Sequence, residues 1–261
     1  MANEKMHPIQ VDSFRWFEFD AFQDLKLKHA AFTRQGGVSP VPWAELNLGS
    51  TVGDDLQNVI ENRERTFRMF GRPVQSMFDV WQVHSAEVVR ADAPRAPHIP
   101  HQRADAIITN CLEVTLIMRF ADCVPILIFD PVHTAVGLVH AGWQGTVKKI
   151  AANTILAMRN AYGSEPKDLI AGIGPSICSD HYQVEADVIS CVWDAFGEDS
   201  KRFLFGNGDK RNFDLWEANR FILKSAGVQH IEVGGICTAC HNNDGFSHRA
   251  ESGKTGRFGV M

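Results

Sequence analysis

Four short apolar runs stand almost end to end between Ala104 and His140: Ala104–Thr109, Val114–Met118, Val124–Phe129 and Thr134–His140. Their length and their Ile, Val and Leu content read as strands. No gap between them exceeds six residues, whereas a crossover between parallel strands needs about a dozen or more. The spacing therefore predicts antiparallel neighbours, and it limits the fold more than any other feature of the chain.

Helices are expected around this core. Asp54-Asp55 precede Leu56, Val59, Ile60, Arg63, Phe67 and Phe70, an amphipathic spacing with an acidic start that suits the helix dipole. Val147, Ile150, Ala151, Thr154 and Met158 form a second stripe, and Val184, Val188, Val192 and Phe196 a third. Asp214-Leu-Trp-Glu217 resembles a capping box opening another helix. Residues 14–33, 78–91, 169–173 and 231–236 add strand-like runs, the first ending in the Arg34-Gln35-Gly36-Gly37 turn. No repeat or long linker cuts the sequence. The fold class expected is α+β: a single domain over residues 1–261, with mixed, largely antiparallel β-sheets packed together and flanked by helices.

Charge narrows the function. The net charge of −5 advertises neither a nucleic acid nor a membrane partner, so an anionic substrate needs a local positive site. No run approaches 18 apolar residues, and MANEKMHPIQVDSFRWF lacks a charged start followed by an apolar stretch. The expectation is a cytoplasmic protein whose six cysteines are reduced thiols, ligands or packed small side chains.

The stretch Phe120–Lys149 holds Cys123 at a strand junction and His140 at the end of a strand, before a glycine turn. His84, in VWQVHSAEVV, is a third possible ligand, read here as lying within an alternating strand. Zinc favours sulfur and imidazole, and a catalytic zinc keeps three protein ligands with one position open. Asp122 could carry a proton or orient a histidine. By spacing alone, a hydrogen-bonded histidine and a packed thiol are the commoner reading, and a Cys–His nucleophilic pair would use the same atoms. Arg34, beside the two glycines, is a candidate anion binder, and Asn47 in the same segment is carried with it as a phosphate- or substrate-binding residue. Arg249, Lys254 and Arg257 in the tail are further basic candidates. Cys237-Thr-Ala-Cys240-His241 matches the string for haem attachment, but that chemistry needs export. With no second CxxC to complete a zinc site, a turn of packed thiols is expected there.

Taken together, TRQGGVSPVPWAELNLGSTVGDD, WQVHSAEVV, RADAIIT, ADCVPILIFDP, VGLVHAGWQGTVKKIAA, GIGPSICSDHYQVEADV and FSHRAESGKTGRFG resemble the laccase-domain family. Its bacterial members go by YfiH or YlmD, and the tail is most similar to the YlmD branch. The resemblance covers the chain from about Ala31 onward. It implies a zinc site on His84, Cys123 and His140. It also implies phosphorolysis of adenosine, inosine, guanosine and methylthioadenosine, and deamination of adenosine, with purine nucleoside and phosphate as partners. Copper-dependent polyphenol oxidation and cysteine hydrolysis are the alternatives attached to the family. The eleven histidines contain no His-x-His pair of the kind a multicopper centre needs. Two departures stand out: Gln144 where the family often has Arg or Lys after Gly-Trp, and Arg249-Ala250-Glu251 where many members have Arg-Arg-Asp.

Overall fold

The computed structural model describes residues 5–25 and 27–261; the first four residues of the segment read for a leader lie outside these. A six-stranded sheet forms the middle of the molecule, ordered 230–233, 170–173, 124–130, 135–141, 106–109 and 88–90. Its centre is the hairpin Val124–Asp130 with Ala135–Ala141, seven antiparallel pairs from Ala135↔Asp130 to Ala141↔Val124. Asp130 accepts from the amides of Val132 and His133 and fixes the turn between them. The outer pairs are parallel, Ile170–Ile173 with His230–Val233 and Val88–Arg90 with Ala106–Thr109. The sheet is thus mixed around an antiparallel centre. The antiparallel expectation holds for the hairpin 124–141 and for 106–109, which pairs antiparallel with 135–141. The run at 114–118 lies outside this sheet, and Thr115–Leu116 pairs in parallel with Met77–Phe78.

All seven residues of Val124–Asp130 are buried, because both faces of the strand are covered. Helices Ile150–Tyr162, Ala186–Phe196 and Leu215–Ser225 pack on one face through Ile150, Ala151, Ile155, Met158, Val188, Val192 and Ile222. On the other face, Leu127, Phe129 and Leu138 meet Phe17, Phe19, Phe120, Phe258 and Val260 of a five-stranded sheet. At Gly172 an added Cβ would sit 2.8 Å from the Phe19 ring, so the sheets approach there only over a glycine.

Several boundaries differ from expectation. Residues 78–91 are not continuous strand: Met77–Phe78 and Val88–Arg90 flank a loop held by side-chain bonds. The run at 114–118 splits into Thr115–Leu116 and Met118–Phe120, which join different sheets. The stripe after Gly145 is two helices, Trp143–Val147 and Ile150–Tyr162, broken where Lys149 turns left-handed at φ +59°. Asp214 does cap the helix Leu215–Ser225, accepting from the Glu217 amide at 2.9 Å.

Candidate metal centre and its cavity

His140 lies one residue from the end of its strand, opposite Pro125 in the ladder. That register brings Cys123, two residues before Pro125, alongside it. His84 arrives from the loop at 79–87, with its backbone left-handed at φ +57°; the expected strand around it is absent. One ligand atom from each of the three lies within 4.8 Å of the others. Cys123 Sγ is 3.8 Å from His84 Nε2, and the two imidazole rings meet edge to face at 5.0 Å. Gly142 makes room for this: a Cβ there would stand 2.9 Å from Cys123 Sγ and 3.0 Å from His84 Cδ2.

Asp105 organises the cluster, and its role was not read from the sequence. Its carboxylate is fully buried; Oδ1 accepts from His140 Nδ1 at 2.8 Å, which leaves Nε2 as the free imidazole nitrogen. Oδ2 accepts from Ser85 N at 2.6 Å, Ser85 Oγ at 2.8 Å and Val83 N at 3.2 Å. Those amides flank His84, so the same carboxylate fixes the left-handed turn that presents it. A partner of this kind sets the tautomer and orientation of a ligating histidine. An aspartate inside the apolar run RADAIIT was the available signal.

The electrostatics follow from burial and proximity. Burial would raise the Cys123 thiol, but His140 first and then His84 outweigh it and bring the thiol down to about 6. Burial would lower His140, but Cys123 and Asp105 together hold it up, at about 9. Burial opposes the Asp105 charge as well, yet the bonds from His140 and Ser85 bring it down to about 2. A thiolate at neutral pH beside two imidazoles is a suitable donor set for a soft or borderline divalent ion. It is equally the arrangement of a cysteine nucleophile.

The other expected residues fall elsewhere. Asp122 borders the cluster, but both its oxygens are engaged, Oδ1 by Thr238 Oγ1 at 2.7 Å and Oδ2 by Arg249 N at 2.6 Å. It braces two loops, and the histidine-orienting part belongs to Asp105. Arg34 is directed away from the cluster: its guanidinium donates to Ala44 O, Asn242 O and Glu251, and it lies over the Phe246 ring. Nε and Nη1 are thus committed inside the protein, and Arg34 is not among the residues that line the cavity over the cluster. Asn47, fully buried, bonds Gly49, Asp54 and the Arg257 amide and holds backbone behind the cavity wall. Gln144 lies outside the cavity lining, and the cation beside the centre is Lys148, whose Nζ donates to His84 O at 2.9 Å.

A cavity of about 500 Å³ opens over the three ligands. Trp81 and Tyr182 contribute its aromatic surface, and Arg63, Arg119, Arg249 and Arg257 its positive charge. Arg119 is paired with Asp79 at 2.7 Å. Arg63, Arg249 and Arg257 donate to backbone carbonyls, and none has a carboxylate partner among the described residues. Burial, then Arg119, lowers Arg63 to about 10. The wall thus carries three guanidiniums without a carboxylate in ion-pair contact, with Cys123, Asp122 and Glu251 near Arg257 and Asp79 near Arg63 as the neighbouring negative groups. The other large cavity, about 290 Å³, is mainly apolar and contains none of the candidate ligands.

Fold and site define an α+β protein with a two-histidine, one-cysteine centre beneath an arginine-lined cavity. The chain belongs to the laccase-domain family: residues 28–261 match the family described as multi-copper polyphenol oxidoreductase laccase. It is 37% identical to the purine nucleoside phosphorylase YlmD of Bacillus subtilis, over 87% of this chain and 84% of that protein. A purine nucleoside phosphorylase of Deinococcus radiodurans is also 37% identical, over 90% and 88%. The crystal structure of YlmD from Geobacillus stearothermophilus superposes with a TM-score of 0.90 at 30% identity, covering 98% of this chain and 97% of that one. Among the described residues no helix is long and apolar enough to cross a membrane.

Proposed function

We propose that residues 1–261 form one enzyme that cleaves purine nucleosides with phosphate and deaminates adenosine, with zinc held by His84, Cys123 and His140. The observation that carries the reading is the shared cavity: the ligand cluster faces the same space as Trp81 and three arginines lacking a carboxylate partner. A nucleoside and an inorganic anion need those two kinds of surface, an aromatic face for the base and guanidinium forks for the phosphate. The names of the relatives support the same substrates. Adenosine, inosine, guanosine and methylthioadenosine are the nucleosides we assign.

Zinc bound there would supply a Lewis acid and a water ionised near neutrality for attack at the purine 6-position. The chain's own residues do the rest. Asp105 holds His140 with Nε2 free and fixes the His84 turn. Arg63, Arg249 and Arg257 hold phosphate, taking over the anion-binding part expected of Arg34. Trp81 and Tyr182 contact the base, and Asp122 keeps the Arg249 loop against the centre. The compartment we assign is the cytoplasm, where cysteines stay reduced and available as metal ligands.

The test is metal content followed by assay of each nucleoside with and without phosphate. Free base and ribose 1-phosphate are expected only with phosphate, and inosine from adenosine without it. A Cys123→Ala protein that kept full phosphorolysis and deamination would falsify the metal reading. Activity that survives chelation but not thiol alkylation would indicate a cysteine hydrolase. Oxidation of a phenol only with added copper would favour the oxidase.

A further inference from the structure

Cys178, His181, Cys237 and Cys240 lie outside the cavity lining and have no part in the chemistry above. The sequence supplies them as two pairs of equal spacing, Cys178-Ser-Asp-His181 and Cys237-Thr-Ala-Cys240. The second pair has no CxxC partner, but the fold supplies a different one. Strands Ile170–Ile173 and His230–Val233 run parallel, so the chain leaves both at the same edge of the sheet. The exits stay locked together: Ser176 N donates to Ile236 O and Thr238 N to Ser176 O, each at 3.1 Å. Cys178 and Cys237 follow a few residues beyond, side by side.

The distances are those of a coordination shell. His181 Nδ1 is 3.4 Å from Cys178 Sγ, 3.5 Å from Cys240 Sγ and 3.9 Å from Cys237 Sγ, and all four ligand atoms lie within 4.8 Å of one another. A tetrahedral zinc with Zn–S of about 2.3 Å and Zn–N of about 2.0–2.1 Å sets sulfur and nitrogen roughly 3.6 Å apart along each edge. The three distances bracket that value. A disulfide could join only two of the three sulfurs, and it gives no reason for the imidazole nitrogen to face all of them. Cys237 Sγ also accepts the amides of Cys178 at 3.3 Å and Cys240 at 3.5 Å, the outer bonds expected around a ligating thiolate.

We propose that these four residues bind a zinc ion in a closed Cys₃His site, separate from His84, Cys123 and His140. Four protein ligands leave no open position, so this site holds structure and does not react. What it holds is identifiable. Thr238, between Cys237 and Cys240, donates to Asp122 beside Cys123, so the ion secures the loop that buttresses the cavity floor.

The test is zinc per chain in the full-length protein, with anomalous diffraction at the zinc edge to locate the ions. About two equivalents are expected, one of them among the four residues. His181→Ala or Cys240→Ser should lose about one equivalent and keep the ion at Cys123, whereas Cys123→Ser should lose only the other. If those variants fail to fold, the unmodified chain still decides. An anomalous peak among the four side chains supports the site; no peak there in zinc-supplemented protein, or a disulfide between two of these cysteines, overturns it. Because the readout is metal and not turnover, about two equivalents in a chain without phosphorolysis would sink the proposed function alone.

Discussion

Asp105→Asn is the sharpest test of how the centre is built. The substitution keeps size and shape but turns one oxygen into a donor. If the amide oxygen stays at the Oδ2 position, it still accepts from Ser85 and Val83, and the NH₂ then faces His140 Nδ1. Two donors cannot share that 2.8 Å contact, so the imidazole must move its proton to Nε2, the atom needed for the metal. Loss of such a partner costs about 10–100-fold in metal affinity, or roughly 1.4–2.7 kcal/mol. Stability changes too. The Asp105 carboxyl falls from 3.8 to about 2 on folding, a contribution of about 2 kcal/mol that is present above the unfolded value and lost as pH falls through the folded one. The metal-free variant should therefore melt roughly 4–8 °C lower near neutrality, with the difference shrinking below about pH 4. Competition with a chromophoric chelator measures the first effect and calorimetry at several pH values the second. A folded Asp105→Asn protein with unchanged metal affinity would refute the tautomer argument.

Other substitutions separate the parts. Gly142→Ala adds a methyl 2.9 Å from Cys123 Sγ at an ordinary φ of −71°, so circular dichroism should be unchanged while metal affinity drops by about 10-fold or more. Metal uptake must expel the proton that His140 keeps up to about 9; between pH 6 and 9 apparent affinity should rise roughly tenfold per unit, with about one proton released. A flat profile in that range would show that the Cys123–His140 pair does not hold the proton. Arg34→Ala should cost about 1–3 kcal/mol by removing its charge-assisted bond to Glu251, which keeps the bonds from Ser247 N and Thr255 Oγ1. It should raise the KM for phosphate less than Arg63→Ala or Arg249→Ala does. The reverse order would restore Arg34 as the anion site.

The legible part of this fold was the part set by local rules. Chain spacing alone required the antiparallel hairpin at 124–141, because no crossover fits into so few residues. Asp55 and Asp214 announced their helices through caps that involve only the next two or three residues. The residues that form the centre were also legible, through the family's ordered segments. What sequence could not supply was the direction of side chains set by contacts far along the chain. Arg34 sits next to two glycines, as an anion binder would, but Glu251 and Asn242, more than 200 residues away, claim its guanidinium. Asp122 looked like the residue to orient a histidine because it adjoins Cys123; Asp105, 35 residues from His140, does so instead. Cys178 and His181 went unpaired for the same reason, since only the parallel register of 170–173 with 230–233 brings them to Cys237.

That remoteness bears on how the centre binds its ion. His84 and Asp122 both have left-handed backbones, at φ +57° and +79°, without being glycine. Such conformations cost on the order of 1–3 kcal/mol each and persist only when surrounding bonds over-determine them. Here they do: Asp105 takes the amides on either side of His84, and Thr238 and the Arg249 amide take both oxygens of Asp122. None of these bonds involves a ligand atom, so none depends on the ion. The strain is held by the protein before metal arrives, and binding need not order the loops. Affinity at the proposed centre is then governed by competition with protons on Cys123 and His140, whereas an ion at Cys178, His181, Cys237 and Cys240 would reinforce the backbone bonds that already join the two strand exits.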